Sequence, residues 1–127
     1  MSGKTVLVTG GSRSGKSRHA LQLTAANVGP KLFIATAEPF DEEMSERIKK
    51  HQKERGKEWV TIEEPLDPAT VIREKGNRPG YIVIDCITLW LSNMIMKNME
   101  RQTILERVNN FISECKICTS DIIVITN

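Results

Sequence analysis

Near the amino terminus, Gly10-Gly11-Ser12-Arg13-Ser14-Gly15-Lys16-Ser17 has the residue types and spacing needed to wrap a backbone around an anion. Glycines permit the close approach, and a helix beginning at Lys16 would aim its free N–H groups and positive dipole end at bound phosphate. The run follows an apolar segment, Thr5–Thr9, and opens into Arg18–Leu23, which reads as a helix. That strand–loop–helix setting is what a P-loop requires. Lys16 would then reach the β- and γ-phosphates, and the Ser17 hydroxyl would ligate Mg²⁺.

Asp85 closes a second apolar run, Tyr81-Ile82-Val83-Ile84, as a Walker-B carboxylate does when it holds Mg²⁺ directly or through water. His51 lies one turn beyond Met44 and Ile48, so the helical period puts it on the same apolar face. The pattern alone leaves His51 between a satisfied histidine at a helix end and a catalytic one. His19 reads as a residue on the flank of the first helix. Arg13 and Ser14 add a charge and a hydroxyl to the loop, and Lys53 and Arg55 read as a solvated helix face within reach of phosphate. Cys115-Lys116-Ile117-Cys118 has the C-x-x-C form but no second pair and no nearby histidine in sequence. Helix-end cysteines packing as small apolar residues account for it. Trp90-Leu91 with Met94-Ile95 likewise reads as a packing face.

The elements that must position these residues alternate between strand-length apolar runs and helix-period segments, the mark of parallel βα units. Strands are expected at 5–9, 31–36, 59–63, 81–85 and 121–127. The first helix, from Lys16 to about Ala26, should turn Ala20, Leu21, Leu23 and Thr24 inward, with Gly29-Pro30 ending the unit. Asp41-Glu42-Glu43 open a helix that closes with Lys49, Lys50, Lys53 and Arg55, the charge order its dipole favours. Asp67 before Pro68 reads as an N-cap of a helix running to about Lys75. Helices follow over 88–97 and 101–116. Strand carboxyl ends are where such sheets bind ligands, which puts Thr126-Asn127 beside the site.

At 127 residues, 39% apolar and 27% charged, the chain suits a single α/β domain over 1–127. A net charge of +2, with bases and acids mixed over 41–57, gives no case for nucleic acid. No apolar run approaches membrane-spanning length, and a strand begins too early for a secretory leader. Three cysteines without framework spacing fit a reducing compartment, so a cytoplasmic location is expected. Nucleotide chemistry is thus indicated, as a small-molecule kinase or a nucleotide-dependent binding module. The absence of an Asn-Lys-x-Asp element disfavours a GTP switch.

In combination these blocks resemble the bifunctional adenosylcobinamide kinase / adenosylcobinamide-phosphate guanylyltransferase family of cobalamin assembly. The resemblance is carried by Val8 to Arg18, Ile34-Ala35-Thr36-Ala37, Asp41 to Met44 with Arg47-Ile48 and His51, Trp59 to Pro65, Asp85 to Asn93, and Val124 to Asn127. It spans essentially the whole chain. It implies a P-loop NTPase fold with a RecA-like, mostly parallel sheet flanked by helices, in a cytoplasmic, commonly trimeric enzyme. It implies two reactions: ATP or GTP phosphorylates adenosylcobinamide, then GMP passes from GTP to adenosylcobinamide phosphate through a guanylyl-histidine.

The position matching the nucleophile is His51, a residue type suited to a transient phosphoramidate. Nucleotide contacts are carried onto Gly10, Gly11, Ser12, Arg13, Ser14, Gly15, Lys16 and Ser17, onto Ala35, Thr36 and Ala37, and onto Glu63 and Asp85. Gln52, Lys53, Glu54 and Arg55 match by position more than by residue type. Ser17 and Asp85 are the expected Mg²⁺ ligands. Family members continue past the equivalent of Thr126-Asn127 with a Glu-Val-Gly-type segment, further helices and strands, so the chain is expected to be truncated at its carboxyl end.

Overall fold

The computed structural model describes residues 3–10, 15–24, 30–38, 42–55, 59–76 and 80–126. Among the described residues five strands and five helices follow in order: β1 (Thr5–Thr9), α1 (Lys16–Leu23), β2 (Lys31–Ala35), α2 (Glu42–Arg55), β3 (Trp59–Glu63), α3 (Pro68–Lys75), β4 (Tyr81–Asp85), α4 (Ile87–Met96), α5 (Arg101–Ile117) and β5 (Asp121–Thr126). The strands form one all-parallel sheet in the order β1-β5-β4-β2-β3. The expected parallel α/β sheet flanked by helices is therefore present.

Its central strands read as apolar runs because both faces are covered. On one face Leu32, Ile34, Ile82, Ile84, Ile122 and Val124 pack against α3, α4 and α5 through Ile72, Trp90, Met94, Phe111 and Cys115. Phe33, Ala35, Val83, Ile123 and Ile125 point to the other face, where Ala20 of α1 meets them. Alternation along each strand thus sorts one continuous apolar run into two cores.

Local signals hold where they were strongest. Asp67 caps α3, its Oδ1 accepting from the Thr70 amide at 3.4 Å and its Oδ2 from the Thr70 hydroxyl at 2.7 Å, with Pro68 at the first turn. Cys115 and Cys118 are buried free thiols, and Cys118 Sγ donates to the Gly76 carbonyl at 3.2 Å. Gly76 caps α3, its amide donating to the Ile72 carbonyl at 2.7 Å, an approach that leaves no room for a Cβ.

Two packing expectations need correction. Leu23 is 43% exposed although Ala20 and Thr24 are buried. Ala20 and Thr24, four apart, share the buried line, and Leu23 lies to one side of it. Ile95 is 64% exposed and does not join Trp90 and Met94 in the core. Met94 and Trp90 are four apart on one face, and Ile95 is a step of about 100° away from it.

β1 is an edge strand, paired with β5 on one side, and Leu7 is 63% exposed. α1 ends at Leu23, with Thr24 already in a turn, short of the expected end near Ala26, while α2 and β5 follow the expected spans where described. The side chain of Leu21, residues 25–29, Asp41, residues 77–79 and Asn127 lie outside the described residues.

Candidate active site

The sheet register gathers the strand ends that carry the candidate residues. Thr9 pairs with Thr126, Asp85 with both Ile125 and Ala35, and Ala35 with Glu63. With strands about 4.8 Å apart, Asp85 and Glu63 stand roughly 10 Å from one another across Ala35. The loop after Thr9 leaves from the same edge and reaches α1 through Gly15, whose φ of 82° is a left-handed conformation that favours glycine. The Gly15 carbonyl accepts the His19 amide at 2.9 Å, which starts α1 directly behind Lys16.

Electrostatics link two of these residues. Burial pushes the Cys86 thiol above its ordinary range; the Leu89 amide opposes this, the Asp85 carboxylate adds to it, and the Lys16 ammonium counters it. Both the Lys16 and the Asp85 charges are thus felt at one buried sulfur. A cation and a carboxylate in the same neighbourhood, at the mouth of a glycine loop, suit a metal-bound polyphosphate.

A buried polar network holds this edge together. Thr36 is fully buried, its hydroxyl donating to the Cys86 carbonyl at 2.7 Å and accepting from the Cys86 amide at 2.8 Å. Its own amide donates to the Asp85 carbonyl at 3.0 Å, and the Glu64 amide donates to the Ala35 carbonyl at 2.8 Å. Asn93 of α4 donates from one carboxamide nitrogen to the Thr36 carbonyl at 2.7 Å and the Pro65 carbonyl at 3.0 Å. Glu64 Oε2 accepts from the Leu66 and Asp67 amides, and Trp90 Nε1 donates to the Leu66 carbonyl at 2.8 Å. At the adjoining edge the Thr88 and Thr126 hydroxyls pair at 3.2 Å.

The family model described as cobinamide kinase / cobinamide phosphate guanyltransferase matches residues 6–127. The chain belongs to this family. Among curated relatives, the bifunctional adenosylcobalamin biosynthesis protein CobP of Pseudomonas aeruginosa is 40% identical over 106 residues, covering 79% of this chain and 61% of that protein. Two proteins named bifunctional adenosylcobalamin biosynthesis protein CobU align over 96% of this chain and 74% of their own length. That of Escherichia coli is 31% identical, and that of Salmonella typhimurium is 33% identical. The P-loop type of this family agrees with the all-parallel sheet.

Within this family frame, Gly10, Gly15, Lys16, Ala35, Thr36, Ala37, Glu63 and Asp85 all fall on the carboxyl edge or on the segment leading from it. Gly11, Ser12, Arg13 and Ser14 lie outside the described residues, as do the side chains of Ser17, His51, Gln52, Glu54 and Arg55. The backbones of residues 51–55 complete the last turn of α2, and Lys53 is exposed there. Met44 and Ile48, which precede His51 on the helical period, are half-buried.

Sequence reasoning passed over Asn93, Glu64 and the hydroxyl of Thr36 as parts of the framework. A signal for Asn93 was present: a carboxamide between Trp90 and Met94 in the otherwise apolar Ile87–Met96 must find partners if buried. Nothing comparable marks Glu64, whose role depends on a turn.

Proposed function

We propose that the chain performs both transfers of its family: phosphorylation of adenosylcobinamide by ATP or GTP, then transfer of GMP from GTP to adenosylcobinamide phosphate. The observation that carries this reading is the meeting of the Gly15-Lys16 segment, Ala35–Ala37, Glu63 and Asp85 at one sheet edge, with the Lys16 and Asp85 charges both felt at Cys86.

In the first transfer, Lys16 and the amides at the start of α1 hold the β- and γ-phosphates. The γ-phosphorus–oxygen bond breaks as the hydroxyl of the aminopropanol arm bonds to phosphorus and gives up its proton. In the second, a ring nitrogen of His51 attacks the α-phosphorus of GTP and pyrophosphate leaves. A phosphate oxygen of the corrinoid then displaces the imidazole, giving adenosylcobinamide-GDP and free His51. Glu63 and residues 52–55 are assigned to holding the guanine nucleotide.

Mg²⁺ suits this donor set. It is held by one or two carboxylates with substrate phosphates completing its shell, and Asp85 with Ser17 would provide the protein's share. Among the described residues no three His, Cys, Asp or Glu side chains cluster as a resident metal site requires. Bound with the nucleotide, Mg²⁺ neutralises phosphate charge.

A cytoplasmic location is supported by the three free thiols. Among the described residues no helix is long and apolar enough to cross a membrane. Assembly as a homotrimer belongs to the same reading, supported by the apolar side chains left exposed at Val6, Leu7, Leu89, Ile95 and Met96.

The deciding experiment incubates the protein with Mg²⁺ and GTP labelled in the α-phosphate. Acid-labile, base-stable label should remain on the denatured protein and be lost in His51→Asn. Equal labelling of that variant would refute the nucleophile, and phosphoryl transfer without label would reduce the chain to a kinase.

A further inference from the structure

Three segments that line the carboxyl edge leave the sheet from different strands: Thr36-Ala37 after β2, Glu64-Pro65 after β3, and Cys86 after β4. Backbone bonds from the Thr36 amide to the Asp85 carbonyl and from the Glu64 amide to the Ala35 carbonyl carry the ladder one residue past the strands. One side chain from outside the sheet touches two of them. Asn93, 5% exposed, donates to the carbonyls of Thr36 and Pro65, and Thr36 in turn grips Cys86 through its hydroxyl and the Asp85 carbonyl through its amide. The carboxamide has two N–H donors, and two carbonyls receive them.

We propose that Asn93 is a positioning residue of the nucleotide site. Its carboxamide sets the spacing between residues 35–37 and Glu63, and through Thr36 the placement of both relative to Asp85. The inference rests on the assignment of that edge to nucleotide. The geometry requires a donor of both hydrogen bonds at this position, and no hydrophobic side chain of similar volume offers one. A residue that merely filled the core would not need to donate to two loops of different strands. Loss of the carboxamide strands two buried carbonyls and frees the loops to part, while the strands below them stay paired.

The test compares Asn93→Ala with Ile72→Ala, which removes a buried side chain from α3 outside this network. Thermal unfolding, binding of a fluorescent GTP analogue with Mg²⁺, and amide hydrogen exchange are measured on each. Asn93→Ala should weaken nucleotide binding tenfold or more and speed exchange at the Thr36 and Glu64 amides at least tenfold, with the β4 and β5 amides unchanged. Ile72→Ala should lower the melting temperature at least as far and leave the nucleotide Kd within twofold. Asn93→Ser, which keeps a shorter donor, should fall between the parent and Asn93→Ala, and it serves if Asn93→Ala does not fold. Unchanged loop exchange in a folded Asn93 variant would overturn the proposal, as would equal loss of binding in Ile72→Ala. A parent that binds no nucleotide removes the functional reading instead, and the exchange data still decide the positioning role.

Discussion

Replacing Thr36 by valine keeps the shape of the side chain and removes its hydroxyl, so it isolates the clamp between β2 and β4. In the parent the hydroxyl donates to the Cys86 carbonyl at 2.7 Å and accepts from the Cys86 amide at 2.8 Å, at a site with no solvent exposure. The two losses are unequal. The Cys86 carbonyl keeps the Trp90 amide, which donates to it at 3.2 Å as the first turn of α4 forms. Its share is that of an ordinary hydrogen bond, about 0.5–1.5 kcal/mol. The Cys86 amide is left buried without that acceptor, at about 1–3 kcal/mol. A loss of about 2–4 kcal/mol is expected, a large part of the 5–15 kcal/mol typical of a whole domain.

Thr36→Ser makes the complementary change. It keeps the hydroxyl and deletes a buried methyl, at a cost of about 1 kcal/mol. Urea unfolding followed by circular dichroism measures both, read as midpoint shifts at constant m. Serine should be the more stable of the two by about 1–3 kcal/mol. Valine equal to or more stable than serine would refute the reasoning, because it would mean that the Cys86 groups find partners without Thr36.

Other expectations follow from single features. Asp67→Ala removes two hydrogen bonds at the start of α3 and should cost about 1 kcal/mol, seen as a melting temperature lower by roughly 3–5 °C. Burial pushes the Cys115 thiol up to about 12 from 9.0. Its thiolate fraction at pH 8 is then about a thousandfold below that of an ordinary thiol, so iodoacetamide should label it only after unfolding. The stability linked to this thiol is fully present below about pH 9 and is lost as pH rises from there through about 12, which an alkaline unfolding titration reads directly. Ile84→Ala should cost about 2–5 kcal/mol, whereas Leu7→Ala, on the exposed edge strand, should cost under about 1 kcal/mol.

The contrast between Ile84 and Leu7 shows what the sequence could and could not disclose. Tyr81-Ile82-Val83-Ile84 and Thr5-Val6-Leu7-Val8 are runs of the same kind, and both form the strands their composition demands. Strand order decides which is buried, and order depends on the crossovers that carry β2 three places away from β1. Composition contains no record of that choice. Helix boundaries were legible where a side chain enforces them, as at Asp67-Pro68, whereas the inward face of α1 is narrower than its apolar residues suggest, Leu23 lying outside it. The glycine-rich run and Asp85 were legible as candidates because the chemistry expected of them is local: each needs only a strand before it.

Framework residues follow a different logic. Thr36 and Asn93 work by joining backbones that are far apart in sequence, 57 residues in the case of Asn93 and Thr36, whereas the Glu64 carboxylate closes its own turn onto the Leu66 and Asp67 amides. No spacing rule reports such a partner before the fold is known. Yet each is costly where it stands, since a buried polar group without its bond destabilises the chain by more than the bond itself contributes. An apolar residue of like volume at 93 would therefore be tolerated by the helix and opposed by the two carbonyls facing it. The same arithmetic holds at Thr36, where valine fits and the Cys86 amide objects. The carboxyl edge of β2, β3 and β4 is consequently tied together for a specific reason: three loops share donors and acceptors that none of them can satisfy alone.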